Sequence, residues 1–243
     1  FRLAEHLRRL QNSLDAIGLK NPYSDAEWAK LIAELIAHNA GEDQYLYLHI
    51  TRGVAKRDHA FPVVVTPTVF MMSSPLPSPP PELKASGVTA ITTQDNRWLR
   101  CDIKSISLLP NVLLRQQAVE AGTMEALLLR DGFLTEGAAS NIFVVSQGVL
   151  LAPPKNNLML PGITYDLVLE LAEADGMPTR VGPVAEVTVR AADELWLTSS
   201  TREVLPITVL DGQPVGNGLP GPLFKRMDDL YQAYKATVMR QPS

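Results

Sequence analysis

Five prolines within seven residues constrain the folding of this chain more than any other feature. They are Pro75, Pro77, Pro79, Pro80 and Pro81, in the stretch SSPLPSPPPELKASG. Proline has no amide donor and clashes with the preceding helical turn, so this density argues against a helix or a central strand. We therefore predict a linker here, with one domain over residues 1–78 and another over residues 79–243.

The segment before the prolines predicts two helices followed by two strands. Apolar residues recur at helical spacing from Leu3 to Ile17 and again from Trp28 to Ile36, where Asp25 is the candidate N-cap. The stretches QYLYLHITRGV and FPVVVTPTVFMM are rich in β-branched and aromatic residues and predict strands. The polar segment AKRDH is expected to form the loop between them.

The segment after the prolines alternates strand and helix patterns. The strand patterns are GVTAITT, MEALLLRDG, SNIFVVSQGVLLAPP and ELWLTSS. Asp131-Gly132 and Gln147-Gly148 predict tight turns. Helices are expected at 110–121, at 164–175 and at 220–235. Together the patterns predict an α/β or α+β protein with two domains, and the sequence has no Gly-rich dinucleotide fingerprint.

Charge and composition exclude several classes of partner. The 22 basic and 26 acidic residues are mixed along the chain, with no basic stripe for nucleic acid and no polybasic membrane patch. No apolar run reaches the roughly 18 residues of a membrane span. A single cysteine, Cys101, makes the cytoplasm the default location, and the four histidines lack metal-ligand spacing, so no metal is expected. The opening FRLAEHLRRL has no initiator methionine, which suggests that the beginning of the protein is missing.

Four motifs in this order carry a resemblance to a known family. RCDIKS, TEGAASNIF, LPGIT and TSST resemble the fold-type IV, or class IV, aminotransferases, which depend on pyridoxal phosphate. TRGVAKRDHAFP and RCDIKSISLLPNVLLRQQA most resemble the D-amino acid transaminases among them. The resemblance spans essentially the whole chain. It implies a two-domain fold, a homodimer, and ping-pong transfer of an amino group from a D-amino acid such as D-alanine to a 2-oxo acid such as 2-oxoglutarate.

The resemblance assigns the central chemistry to Lys104 and Glu136. Lys104 would form the Schiff base with the cofactor and move a proton at the substrate Cα. An ordinary lysine is a poor base, so it must be desolvated, and Ile103 and the following SLLP supply apolar surroundings. Glu136 would pair with the pyridinium nitrogen. The alternatives are a solvated lysine at a strand end and a glutamate in a hairpin loop.

The cofactor phosphate is expected at the start of a helix. Gly162, Ile163 and Thr164 lie where a helix begins, and a helix N-terminus offers unpaired N–H groups to an anion. By resemblance, further cofactor contacts come from Arg9, Leu160, Ser199 and Ser200. Helical register alone does not choose between Arg9 and its neighbour Arg8, and Leu160 is equally consistent with an ordinary core leucine.

Arg57 and His59 form the candidate substrate site. On an extended segment, residues two apart point to one side, where a guanidinium and an imidazole together bind a carboxylate. The resemblance adds a tyrosine from near the N-terminus, which is absent from this chain, and places the site across a dimer interface. The alternative is an ordinary polar hairpin loop.

Several other functions remain open at this stage. A branched-chain L-aminotransferase, an aminodeoxychorismate lyase and an amine transaminase share the fold, and fold does not fix substrate. A cofactor-binding protein without turnover, or an inactive fragment, is also consistent with the motifs. The sequence departs from the family pattern at Tyr165, where arginine is common, and at Ala138 and Ala139, where serines are frequent.

Overall fold

The computed structural model describes residues 1–240 and contains two compact units. The first unit is Arg2–Ser78, and the second comprises the chain from Pro79 onward together with Phe1. Each unit has its own buried apolar residues.

The first unit consists of two helices and a two-stranded antiparallel sheet. The helices are α1 (Leu3–Ala16) and α2 (Asp25–Ala37), and the strands are β1 (Gln44–Thr51) and β2 (Thr68–Pro75). The two strands pair in a continuous register from Gln44 opposite Pro75 to Thr51 opposite Thr68. The buried apolar side chains of this unit are Leu7, Leu14, Leu19, Trp28 and Ile32.

The N-cap of α2 is Ser24, so the prediction of Asp25 is wrong by one residue. The Ser24 side chain accepts a hydrogen bond from the Glu27 amide, and the Glu27 carboxylate accepts one from the Ser24 amide. This capping box satisfies two amides at the start of the helix. Asp25 is therefore the first helical residue, where a negative charge favours the positive end of the helix dipole.

The second predicted strand begins later than expected. Residues 61–67 are not in a strand, and β2 begins at Thr68. Pro62 and Pro67 lie in the stretch that was predicted to pair, and proline cannot donate to a strand ladder. Residues 52–67 therefore form a long irregular loop between β1 and β2.

The expectation that the proline-rich stretch contains no helix is wrong. A short helix, α3, runs over Pro81–Ser86 and begins with a proline. Proline is tolerated at the first helical position because its amide would be unpaired there and its fixed φ already suits a helix. The same stretch also provides the end of β2, at Pro75.

The second unit is built on a nine-stranded mixed sheet in the order β5-β4-β3-β10-β9-β6-β7-β8, with β11 on β10. The strands are β3 (Val88–Gln94), β4 (Glu125–Arg130), β5 (Phe133–Gly137), β6 (Asn141–Ser146), β7 (Val149–Ala152), β8 (Thr179–Val181), β9 (Glu194–Ser199), β10 (Glu203–Leu210) and β11 (Gln213–Pro214). β3 runs parallel to β4 and β10, and β7 runs parallel to β8. The remaining pairs are antiparallel.

Together with α3, four further helices and a π-helical turn complete the described part of the second unit. They are α4 (Leu109–Glu120), α5 (Ile163–Ala174), α6 (Glu186–Arg190), α7 (Pro222–Tyr234) and the π turn (Lys235–Met239). The three predicted helices are confirmed to within about two residues at each end, whereas α6 was not predicted. No helix within residues 1–240 is long and apolar enough to cross a bilayer.

The sheet is buried on both faces at its centre. Along β6, Ile142 and Val144 belong to one apolar cluster, while Phe143 and Val145 belong to the other. The second cluster includes residues of α5 and α7, such as Phe224. A strand with two buried faces reads as an unbroken apolar run, which is why this strand was predicted from NIFVV.

The two predicted turns are confirmed, but four strands were not predicted. Asp131-Gly132 and Gln147-Gly148 all have positive φ, as a type I′ hairpin turn requires. The unpredicted strands are β5, β8, β10 and β11. β10 contains Pro206, which usually argues against a central strand. Here the pairing of β10 with β3 begins only at Ile207, so the missing amide does not interrupt that ladder.

Candidate active site

Lys104 lies in the irregular segment between β3 and α4, in the second unit. The Cys101 amide donates to the Asn157 carbonyl at 2.8 Å, and Asn157 Nδ2 donates to the Leu99 carbonyl at 2.9 Å. These bonds fix the segment just before the lysine. Ile103 is buried, but Lys104 itself is exposed in the single chain.

A pocket brings Lys104 together with two other predicted site residues, Glu136 and Leu160. It encloses about 400 Å³ of empty space, part of it open to solvent. The remaining lining residues are Arg97, Trp98, Cys101, Ile103, Ser105, Ser107, Leu108 and Asn111. The pocket thus places an amine and a carboxylate around a partly apolar space.

Glu136 is the most constrained group in the pocket. It lies in β5, so the alternative of a hairpin-loop glutamate is wrong. Its carboxylate accepts hydrogen bonds from Arg97 Nη1, from Asn141 Nδ2 at 3.2 Å, and from the Leu160 amide at 3.2 Å. Burial raises the pKa of Glu136 to about 7, although the Arg97 charge and the hydrogen bonds of Arg97 and Leu160 act in the opposite direction.

Asn141 links Glu136 to the start of α5. Its Nδ2 also donates to the Leu160 carbonyl at 3.0 Å. A side chain at Gly162 would overlap Asn141 Oδ1, so only glycine fits there without displacing the asparagine. Asn141 pairs with Thr198 across β6 and β9, which brings the end of β9 to the same place.

The predicted phosphate residues of the second unit gather at this point. Gly162 is the N-cap of α5. Because glycine has no side chain, it cannot accept hydrogen bonds from the first amides of the helix. Ile163 and Thr164 are buried in its first turn, while Ser199 ends β9 and Ser200 follows it. Ser199 Oγ accepts from the Arg202 amide at 3.2 Å, which tightens this turn.

The predicted residues of the first unit occupy a helix and a loop. Arg9 is half-buried on α1, while its neighbour Arg8 is exposed. Arg57 and His59 are exposed in the loop over residues 52–67 rather than on a strand. The Asp58 carboxylate accepts from the amides of His59 and Ala60, at 2.6 and 3.2 Å, so the backbone turns there. The strand-alternation argument for Arg57 and His59 is therefore wrong.

Sequence reasoning missed three residues that shape the pocket. Arg97 is buried against Glu136, and Asn141 holds both Glu136 and Leu160. Asn111 of α4 donates to the Ala138 carbonyl at 2.9 Å, which fixes the turn after β5. Arg97 lies just before the motif RCDIKS, and Asn141 lies within TEGAASNIF. Polar residues in or next to a motif could therefore have been predicted as site residues.

A family model for the class IV aminotransferases matches residues 1–210. The chain belongs to the class IV aminotransferases. It is 44% identical over 232 residues to the D-alanine aminotransferase of Bacillus licheniformis, covering 96% of this chain and 82% of the relative. It is 37% identical over 235 residues to the D-alanine aminotransferase of Staphylococcus epidermidis, covering 96% of this chain and 83% of the relative.

Solved aminotransferases have the same fold. The branched-chain amino acid aminotransferase of Escherichia coli matches with a TM-score of 0.89 at 26% identity, over 96% of this chain and 79% of that chain. The branched-chain aminotransferase of Thermobaculum terrenum, solved in its PLP form, matches with a TM-score of 0.85 at 26% identity, over 99% of this chain and 80% of that chain. The predicted fold class, the aminotransferase activity and the dependence on pyridoxal phosphate are confirmed.

The second unit fits this cofactor in two respects. Glu136 offers a buried carboxylate to a ring nitrogen, and the α5 N-terminus offers amides to a phosphate. Nearby, Thr198 Oγ1 is buried and has no hydrogen-bond partner among the described residues. A buried hydroxyl of this kind calls for a partner such as water or an anion oxygen.

Proposed function

We propose that this aminotransferase moves the amino group of a D-amino acid, such as D-alanine, to a 2-oxo acid, such as 2-oxoglutarate. The observation that carries the proposal is the 44% identity to a D-alanine aminotransferase over 96% of this chain. Several further relatives of the same name match 96% of this chain at 34 to 37% identity. Substrate choice within the family depends on the site rather than on the fold.

Lys104 is the proposed catalytic residue. When bound, pyridoxal phosphate supplies an aldehyde that takes up the amino group and a ring that withdraws electrons. Lys104 Nζ would hold the cofactor, and as a free amine it would remove the proton from the substrate Cα. Lys104 lies on the pocket wall, and none of the other residues that line the pocket is a lysine. Both facts support this assignment.

Glu136 is proposed to hold a proton on the ring nitrogen. An ionised carboxylate offers only acceptor oxygens, and its negative charge strengthens the hydrogen bond from a protonated ring nitrogen. Leu160, whose amide bonds to Glu136, is proposed to pack against the ring. The two residues line one pocket with Lys104.

The phosphate is proposed to bind at the N-terminus of α5 and at the end of β9. The helix supplies backbone amides and a positive dipole end. Hydroxyl and amide donors at the end of β9 complete the set, and an arginine would neutralise the charge. The proposed residues are Gly162, Ile163, Thr164, Ser199, Ser200 and Arg9.

Arg57 and His59 are proposed to bind the substrate carboxylate. Both are exposed, and the guanidinium can bind a carboxylate through two parallel hydrogen bonds. Replacing Arg57 with Met should raise KM for D-alanine at least about tenfold, since a charge-assisted bond contributes roughly 1.5 to 3 kcal/mol. Equal KM values for the variant and the parent protein would remove Arg57 from this role.

The chain is also proposed to act as a homodimer. Apolar side chains on and beside the pocket rim are exposed in the single chain: Trp98, Leu99, Ile106, Leu108, Leu109, Val112 and Leu113. Monomers rarely expose a patch of this kind. A second copy covering it would also remove water from around Lys104, which lowers the pKa of an amine and so leaves more of it unprotonated at neutral pH.

The two units are proposed to be the small and large domains, over residues 1–78 and 79–243, and the cytoplasm is proposed as the location. The single cysteine of the sequence suits a reducing compartment. Sedimentation velocity of the purified chain tests the dimer, and a monomer at micromolar concentration would contradict it.

One competing function is favoured by a specific observation. The branched-chain aminotransferase structures share the fold at TM-scores of 0.89 and 0.85. Those enzymes match at 26% identity, whereas the D-alanine aminotransferase matches at 44%. A branched-chain activity would show as conversion of L-leucine rather than of D-alanine.

The deciding experiment is the visible absorption spectrum of the protein loaded with pyridoxal phosphate. D-alanine, L-alanine and L-leucine are added separately, without a 2-oxo acid. We expect only D-alanine to convert the lysine-bound cofactor to its amine form, which absorbs at shorter wavelength. Conversion by L-leucine alone would replace the proposal with the branched-chain activity. The Lys104→Ala variant should lose multiple turnover, and retained turnover would remove Lys104 from its assigned role.

A further inference from the structure

Arg97 and Asp95 form a buried ion pair directly behind Glu136. Arg97 donates to both carboxylate oxygens of Asp95, from Nε and Nη2, at 2.9 Å each. Its Nη1 donates to Glu136 Oε1. The Arg97, Asp95 and Glu136 side chains are 3%, 0% and 7% exposed. An ionised side chain buried to this extent needs an opposite charge or hydrogen bonds to compensate for the loss of water.

Asp95 holds the Arg97 guanidinium in place. It also accepts hydrogen bonds from the Arg97 amide at 3.1 Å and from Thr135 Oγ1 at 2.9 Å, and it forms an ion pair with Arg130 at 3.1 Å. Burial would raise the pKa of Asp95, but its hydrogen bonds and its attraction to Arg97 prevail and lower it to about 2. Asp95 is therefore ionised at neutral pH and orients Arg97 toward Glu136.

The cluster balances two negative and two positive charges. Asp95 and Glu136 face Arg97 and Arg130, and Arg97 Nη2 also donates to the Leu158 carbonyl at 2.9 Å. Lys104 is the other basic side chain on the pocket wall. Removing Arg97 leaves Glu136 with an amide and an asparagine as its hydrogen-bond donors, neither of which carries a charge.

We propose that Arg97 is a positioning residue that favours the ionised form of the Glu136 carboxyl and turns it toward the cofactor ring. The proposal rests on the proposed function, because Glu136 must be an anion to hold a proton on a ring nitrogen. Burial already raises the pKa of Glu136 to about 7 with Arg97 present. Without the guanidinium, the same burial would leave the carboxyl protonated at neutral pH.

The primary test measures Glu136 directly in the protein without cofactor. Glutamate labelled with ¹³C at the side-chain carboxyl is incorporated, and the Glu136 signal is the one missing from Glu136→Gln. We expect Arg97→Met to raise the titration midpoint of this signal by at least about one pH unit, a tenfold change in proton affinity. Arg97→Lys keeps the charge and should recover most of the shift.

Arg100→Met is the matched control, because Arg100 is exposed and paired only with Asp102 among the described contacts. Its Glu136 midpoint should equal that of the parent protein. A midpoint in Arg97→Met within about 0.3 unit of the parent value overturns the proposal. If Arg97→Met does not fold, Arg97→Gln is measured instead, because it keeps hydrogen-bond donors but removes the charge: a midpoint raised by about one pH unit supports the charge role, and an unchanged midpoint contradicts it.

A second readout separates this proposal from the proposed function. In the loaded enzyme, Arg97→Met and Glu136→Gln should each lower kcat, and the double variant should be no slower than Glu136→Gln alone. Multiplicative losses would show that Arg97 acts independently of Glu136 and would refute its positioning role. If the parent protein fails to bind pyridoxal phosphate, the proposed function falls, while the carboxyl titration still decides whether Arg97 controls Glu136.

Discussion

Replacing Glu203 with glutamine should destabilise the second unit in a pH-dependent manner. Glu203 begins β10, and its side chain is 10% exposed. The carboxylate accepts from Lys84 Nζ at 2.8 Å, Lys235 Nζ at 2.6 Å and Gln232 Nε2 at 2.8 Å. These bonds tie β10 to α3, α7 and the π turn.

The magnitude follows from the protonation of this one group. Burial would raise the pKa of Glu203, but the hydrogen bonds from Lys235, Lys84 and Gln232 outweigh it and lower the pKa from 4.5 to about 2. A folded-state pKa below the unfolded value adds stability above the unfolded pKa, and that stability is lost as pH falls. The Glu203 carboxylate therefore contributes about 3 kcal/mol to the free energy of unfolding at pH 7 and about 2 kcal/mol at pH 3.5.

The assay is urea unfolding of the cofactor-free protein at one protein concentration, at pH 7 and at pH 3.5. Fixing the concentration matters because dimerisation shifts apparent stability. Glu203→Gln should lose about 3 kcal/mol at pH 7 and clearly less at pH 3.5. Glu82→Gln, on the exposed side of α3, should change stability by less than about 0.5 kcal/mol. A loss below about 1 kcal/mol at pH 7, or one that does not shrink in acid, would refute the reasoning.

Three further substitutions test particular contacts. Gly162→Ala should weaken the binding of pyridoxal phosphate about tenfold in a fluorescence titration, because the new methyl group displaces Asn141. Gly182→Ala is the control, because the added methyl group there meets no atom. Ser24→Ala should lower the unfolding free energy by about 1 kcal/mol, since the capping hydrogen bond is lost. Ser24→Gly should lower it by only a few tenths of a kcal/mol, because glycine is itself favoured at the N-cap. Leu128→Ala should cost about 2 to 5 kcal/mol in chemical denaturation because Leu128 is 0% exposed; a loss under about 1 kcal/mol would contradict its core position.

Strong local patterns allowed much of the fold to be predicted from the sequence. The helices α1, α2, α4, α5 and α7 and the turns at Asp131-Gly132 and Gln147-Gly148 follow from apolar period and turn chemistry. β10 was missed because Pro206 is unusual in a central strand, and the sequence does not show that the pairing with β3 begins only at Ile207. α3 was missed because the density of prolines was taken to exclude any helix, although proline is tolerated at the first helical position, where Pro81 lies.

The candidate site shows a similar division. Lys104, Glu136 and Leu160 were predicted from motifs, and all three line one pocket. Arg97 and Asn141 were not, because nothing in a one-dimensional pattern indicates that their side chains converge on Glu136. Polar contacts between segments that are far apart in the sequence depend on the topology of the complete fold.

In the single chain, the two proposed site residues Glu136 and Lys104 differ in their exposure to solvent. Glu136 is already buried and hydrogen-bonded, whereas Lys104 is exposed beside an apolar rim. If a second copy covers that rim, then Leu109→Asp should keep the protein monomeric and leave the lysine amine in water. The amine should then react with free pyridoxal phosphate as an ordinary exposed lysine does, while the Glu136 carboxyl titrates as in the parent protein. A monomeric Leu109→Asp variant with unchanged cofactor affinity would show that Lys104 is activated within one chain, and that the exposed leucines serve another purpose.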